Sequence, residues 1–178
     1  DFNGEQQEGV GFYQVTQKNG RRCSSAVAYL RSAEKRDNLT VITSAQVSKL
    51  NFDEKNERIA GVTYIAKGKS HTITASREVI SSGGAINSPQ ILMLSGIGDK
   101  EELQKHGIEL KHDLPGVGKN LQDHLDIMIV QKSTKPESYG FTFKTAVTHG
   151  AYYIYQYLVH NRGYFATNGA ESGGFIKS

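Results

Sequence analysis

Three groups of residues in this chain have types and spacings that can do chemistry. The first is Gly83-Gly84, preceded by the apolar pair Val79-Ile80 and the small residues Ser81-Ser82. Glycines at the carboxyl end of a strand remove side chains where a dinucleotide approaches the backbone, and a following helix supplies N–H groups with no intrahelical partner. The same pair also fits a tight strand-to-helix turn with no ligand, and the residues alone leave both readings open. The second group is the six histidines, His71, His106, His112, His124, His149 and His160. They show no HExxH arrangement or other tight ligand spacing, and the single cysteine, Cys23, excludes an internal disulfide and a cysteine-rich cluster. No metal site is expected. The third is the run Tyr152, Tyr153, Tyr155 and Tyr157, in which Tyr153 and Tyr157 share a helical face. Packing against a sheet is expected of it, in a core or an interface, rather than cofactor recognition.

The chain that must position these groups has 178 residues, 37% of them hydrophobic, enough for one sizeable domain or a domain and part of another. Its formal net charge of +3 comes from Lys and Arg interspersed with acids, as in Glu54-Lys55-Asn56-Glu57-Arg58. The longest basic cluster, Arg21-Arg22, is far from a polybasic arm, so no nucleic-acid partner is expected. No apolar run approaches the roughly 20 residues of a membrane-spanning helix. One cysteine fits a reducing compartment, and a cytoplasmic location is the expectation. The chain begins at Asp1, without a Met or a charged-then-apolar leader, and reads as an internal piece of a longer protein.

Periodicity predicts a mixed architecture, α/β in class, with an α+β character in this piece. Val10 to Thr16 alternates as a strand ending at an Asn19-Gly20 turn, and Ser24 and Ser25 are placed to cap a helix over residues 26–35. Leu39 to Thr43 is a β-branched run entered from that helix, the pattern of a buried parallel strand. Three further strands, Gln46 to Phe52, Ile59 to Ala66 and Ser70 to Ser82, are joined by short polar links and predict an antiparallel meander. The last of them is long enough to serve two sheets. Ser88 and Pro89 read as the start of a short buried helix ending at Ser95-Gly96, and Glu101 to His106 as a helix stopped by Gly107. Ile108 to His112 and Asp126 to Lys132 read as strands, Pro136 and Gly140 as part of a loop, and residues 151–160 as a helix. The character of the chain changes after Leu114-Pro115-Gly116-Val117-Gly118, which places a boundary near residues 123–127.

The stretch Gly84-Ala85-Ile86-Asn87-Ser88-Pro89-Gln90-Ile91-Leu92-Met93-Leu94-Ser95-Gly96-Ile97-Gly98 resembles, position by position, the second signature of the glucose-methanol-choline (GMC) oxidoreductases. Gly20 to Leu30 followed by Asn38-Leu39-Thr40-Val41-Ile42-Thr43 is similar to that family's helix and the strand behind it. Leu114 to His124 is similar to its PGVG-NLQDH stretch. The resemblance extends over nearly the whole chain, and the lead-in Asp1 to Thr16 is similar to the family's bacterial dehydrogenases of aliphatic alcohols and of choline.

That resemblance implies the central part of an FAD-binding domain with a β-meander over residues 1–125, its first 20 residues irregular, and the start of a substrate-binding domain over residues 126–178. It implies hydride transfer from a primary alcohol to FAD in the whole enzyme, with the remainder of the same enzyme as partner, a small-molecule alcohol as substrate and a respiratory electron acceptor. Membrane association is open for such an enzyme. Val47 matches the position whose backbone meets the adenine of FAD, and a core valine is the alternative. Ser82, Gly83 and Gly84 match the strand end facing the cofactor. Asn120 and Asp123 are the match for residues that buttress the flavin pocket or the domain junction, with a capped turn as the alternative. No catalytic residue is assigned: the family's histidine base lies in a later segment, so His124 is not taken as one. No GxGxxG occurs, so the unit that seats the FAD pyrophosphate is absent and the chain alone is expected to be inactive and to bind no FAD. Glu171 is the one carboxylate in the tail suited to a cationic substrate such as choline. A non-catalytic folding or interaction module is the rival reading.

Overall fold

The computed structural model describes residues 3–55, 57–129 and 143–176. In chain order the strands and helices are β1 (Gly9–Phe12), β2 (Gln17–Lys18), β3 (Arg21–Arg22), a π-helical turn (Ala26–Leu30) running into α1 (Arg31–Ala33), β4 (Ala45–Phe52), β5 (Ile59–Ala66), β6 (Lys69–Thr74), α2 (Gly84–Leu94), β7 (Ile97–Gly98), α3 (Lys100–Lys105), β8 (His112–Asp113), α4 (Phe143–His160), a 3-10 turn (Tyr164–Ala166) and β9 (Ser172–Phe175). They fall into two compact units, Val41–Met128 and the combination of Asp1–Thr40 with Ile129–Ser178.

Val41–Met128 is built on the expected meander. β4, β5 and β6 form a three-stranded antiparallel sheet in sequential order. The β5–β6 link is tight because Lys67 (φ 51°) and Gly68 (φ 72°) both take the left-handed backbone of a two-residue hairpin. The β4–β5 register shifts between Val47 and Lys49, and Ser48 there donates its hydroxyl to the Thr63 carbonyl at 3.0 Å. α2 packs on β4. Behind it, β7 pairs in parallel with β8, the sole parallel pairing among the described residues. The core is small: Leu103 on α3, 1% exposed, and Leu50 on β4 are the buried hydrophobic side chains among the described residues.

Several sequence expectations are corrected here. Leu39 to Thr43 is not a strand, and Ile108 to Lys111 is not one either. β6 ends at Thr74, so Ala75 to Ser82 joins no sheet. A strand needs a run of ladder hydrogen bonds, and among the described residues these segments make only single ones, Ala75 N–H to the Ala60 carbonyl and Lys111 N–H to the Gly96 carbonyl. Ile80 is accordingly 79% exposed. α2 starts at Gly84, not at Pro89, which stands inside the helix and removes the donor for the Ala85 carbonyl. Nor is α2 buried: Ile86 is 64% exposed and no residue of the helix is fully covered.

In the other unit, β1 pairs antiparallel with β9, and β2 with β3 across the expected Asn19-Gly20 turn (φ 52° and 67°). Of the strand expected over Val10 to Thr16, Val10–Phe12 is strand, in β1, and residues 13–16 are not; β2 begins after that span, at Gln17. Helix follows Ser24 as predicted, its hydroxyl accepting from the Val27 N–H at 3.4 Å, though it opens as a π-helical turn and α1 ends at Ala33. α4 begins at Phe143, eight residues before the expected start. Tyr153 and Tyr157 pack on the 3-10 turn rather than on a sheet: Tyr153 stacks on Tyr164 at 5.5 Å, and Tyr157 meets Phe165 edge-on at 6.2 Å. Of the strand expected over Asp126 to Lys132, residues 126–129 are not strand; the rest of it, and the loop with Pro136 and Gly140, lie outside the described residues.

Candidate functional site

All six residues singled out for the cofactor lie in Val41–Met128. Gly83 (φ −75°, ψ −4°) is the residue before α2, and no side chain bonds to the free N–H groups of the first turn. No acidic residue stands in that turn, so the positive end of the helix is not compensated by a carboxylate of its own first turn. Gly84 has φ 84°, and a Cβ there would meet nothing within 4 Å. Its glycine is required by backbone conformation, not by the surroundings, and the space in front of the helix end is open. Ser82 and Gly83 are exposed beside it. The residues at this helix end therefore fit the approach of a polar or anionic part of a cofactor: unclaimed N–H donors, a partial positive charge and no intervening side chains.

Val47 is half-buried on β4, opposite Tyr64, at the register shift. Because α2 packs on β4, the elements carrying Val47 and Gly84 belong to one layered arrangement. The 114–118 turn is laid along the same helix: a Cβ on Gly118 would meet Met93 Cε at 3.4 Å and Pro89 Cβ at 3.9 Å. Asn120 (φ 58°) and Asp123 follow that turn, both exposed. Asp123 Oδ1 accepts from the His124 N–H at 2.8 Å, a local capping contact.

The close contacts that hold these elements were not singled out from the sequence. Ser95, at the carboxyl end of α2 and 8% exposed, donates its hydroxyl to the Ile91 carbonyl at 2.6 Å. The same oxygen accepts from the Leu50 N–H of β4 at 2.8 Å. Gly96 (φ 85°) follows, its carbonyl accepting from Lys111 and His112 N–H at 2.8 and 3.0 Å. Asp99 caps α3, accepting from the N–H groups of Glu101 and Glu102 at 3.1 and 3.2 Å, and pairs with Lys119 Nζ at 2.9 Å. The hydrogen bond from Lys119, helped by those backbone donors, holds the Asp99 carboxyl below the usual carboxylate range. Asp99 in turn raises the Lys119 ammonium above its ordinary value. This pair ties the 114–118 turn to the start of α3. The legible signals were the Ser-Gly of the signature stretch and an aspartate before a charged helix.

The architecture and its glycine-bearing helix end agree with the comparison to known proteins, in which the profile of the family described as GMC oxidoreductase matches residues 1–126. This chain belongs to the GMC oxidoreductase family. It is 50% identical over 182 residues to an alcohol dehydrogenase [acceptor] of Pseudomonas putida, matching along 100% of this chain and 32% of that protein. It is 46% identical over 180 residues to the mitochondrial choline dehydrogenase of Homo sapiens, along 100% of this chain and 29% of that protein. The chain thus spans about a third of the length of these relatives. Among solved structures, it superposes on a formate oxidase of Aspergillus oryzae with a TM-score of 0.76 at 26% identity, covering 97% of this chain and 29% of that one. A fungal aryl-alcohol oxidase gives a TM-score of 0.75 at 26% identity, covering 93% and 29%. Among the described residues, no helix is long and apolar enough to cross a membrane, and no group of His, Cys, Asp and Glu is arranged to hold a metal ion.

Proposed function

We propose that this chain is the flavin-facing scaffold of an FAD-dependent dehydrogenase that oxidises a primary alcohol to its aldehyde. The observation that carries the reading is the open N-terminal end of α2, where Gly83 and Gly84 leave unpaired N–H groups exposed within the span that the family profile matches. Ser82, Gly83 and Gly84 face the cofactor there, Val47 offers its backbone from β4, and Asn120 and Asp123 support the pocket from the segment behind the 114–118 turn. FAD, when bound, supplies the hydride acceptor. The protein's part is to exclude side chains from the approach, present N–H donors and hold the two elements in register. The hydroxyl proton goes to a histidine in a later part of the enzyme, so this chain by itself is inactive. Residues 1–125 belong to the FAD-binding domain and residues from 126 onward to the substrate-binding domain, a division supported by the end of the family match at residue 126.

An aliphatic alcohol is the preferred substrate and a respiratory carrier the preferred acceptor; the 50% identity to the Pseudomonas putida alcohol dehydrogenase [acceptor] supports an alcohol as substrate. Choline is the second reading, favoured by the 46% identity to choline dehydrogenases. Glu171, half-buried beside β9, is then the carboxylate for the trimethylammonium group. The test uses the full-length enzyme. Its released cofactor should be FAD, and anaerobic mixing with a medium-chain primary alcohol should bleach the flavin absorbance. Bleaching by choline alone overturns the aliphatic substrate; a protein that takes up no flavin overturns the function.

A further inference from the structure

Ser95 joins two of the elements to which the proposed function assigns cofactor contacts. Its Oγ accepts from the Leu50 N–H at 2.8 Å and donates to the Ile91 carbonyl at 2.6 Å, so one atom bonds strand β4 and helix α2 together. Among the described residues β4 is an edge strand, paired with β5 alone. The Leu50 N–H is thus satisfied by Ser95 instead of a neighbouring strand. Elsewhere the contact between α2 and β4 is lightly buried, with no residue of α2 fully covered. Among the described residues, the hydrogen bond from Leu50 to Ser95 is the polar contact that sets the end of the helix against the strand.

We infer that Ser95 is a positioning residue for FAD: it touches no part of the cofactor, and its hydroxyl sets the relation between Val47 on β4 and the Gly83–Gly84 end of α2. This rests on the proposal that those residues face FAD. Ser95 lies at the opposite end of α2 from Gly84, and the 11 residues of the helix span roughly 16 Å. A small rotation at the anchored end is amplified at the far end, because both elements move as rigid pieces. Without the hydroxyl the Leu50 N–H loses its acceptor, and the helix is free to slide along the strand.

The experiment compares Ser95→Ala, Ser95→Thr and Leu103→Ala in the full-length enzyme, with wild type as reference. Leu103 is the most buried side chain of this unit and stands on α3, outside both β4 and α2, so its loss serves as the stability control. S95A is expected to weaken FAD binding about tenfold, the equivalent of about 1.4 kcal/mol, and to change the visible circular dichroism of the remaining bound flavin. L103A is expected to lower Tm at least as far while leaving the flavin spectrum and Kd near wild type. S95T keeps the hydroxyl, at a position beside a depression lined by Leu94, Ser95, Gly96 and Lys49, so it is expected to restore binding even if S95A is too unstable to purify. Wild-type Kd and spectrum in S95A, with only Tm lowered, overturn the positioning role and leave the proposed function standing. Equal losses of FAD affinity in S95A and L103A overturn it as well. A wild-type enzyme that binds no FAD overturns both.

Discussion

Replacing Gly96 by Ala should open the junction behind α2, and the size of the effect follows from three features of the site. Gly96 has φ 85°, in the left-handed region where a side chain costs about 1–2 kcal/mol. A Cβ there would stand 2.4 Å from the Glu109 carbonyl oxygen and 3.1 Å from the Lys111 N, both backbone atoms that cannot rotate away. The segment that must retreat is the one whose Lys111 and His112 N–H groups bond the Gly96 carbonyl. Losing those two hydrogen bonds adds about 1–3 kcal/mol at roughly 0.5–1.5 each. The total, about 2–5 kcal/mol, is a large fraction of the roughly 5–15 kcal/mol that holds a typical domain together. Urea unfolding followed by circular dichroism measures the loss, and amide exchange at Lys111 and His112 localises it. A destabilisation below about 1 kcal/mol, or unchanged protection of those two amides, would refute the reasoning.

Two further outcomes are expected. Asp99 is shifted down by Lys119 and its backbone donors, so its contribution to stability is present above the ordinary carboxylate value of 3.8 and is lost as pH falls through its lower folded-state value. Lys119 is shifted up, so its contribution is complete below 10.5 and disappears as pH rises through the raised value. Replacing Asp99 by Asn should therefore flatten the acid limb of a stability–pH profile, and an unchanged limb counts against the pair. This 178-residue chain, purified alone, should be colourless and its Tm indifferent to FAD; a yellow preparation contradicts that.

Much of the β-meander was legible because its information is local. Ile59 to Ala66 is rich in β-branched residues, and Lys67-Gly68 meets the backbone demand of a two-residue turn within the turn itself. Leu39 to Thr43 and the pair Val79-Ile80 are also β-branched, yet composition cannot supply the run of hydrogen-bonded neighbours on which a strand depends. The start of α2 was misplaced for a related reason. Pro89 favours a first helical turn, but the helix extends back to Gly84, where a left-handed glycine opens it. Gly83 and Gly84 announced the candidate site through residue type alone. Ser95 did not, because a serine before a glycine reads as a helix stop; its partner Leu50 is 45 residues away and becomes visible only when α2 is set on β4.

The central claim, that the N-terminal end of α2 faces FAD, is tested by placing the same strain at two positions of the full-length enzyme. Gly84 and Gly107 both have positive φ, 84° and 67°, and a Cβ on either meets nothing within 4 Å. Gly84→Val and Gly107→Val should therefore carry similar conformational cost, and only the first should obstruct the cofactor. Flavin content per polypeptide after purification in excess FAD is the measurement. Loss of FAD in G84V with near-complete occupancy in G107V is the predicted result, and equal occupancy in the two variants contradicts the account.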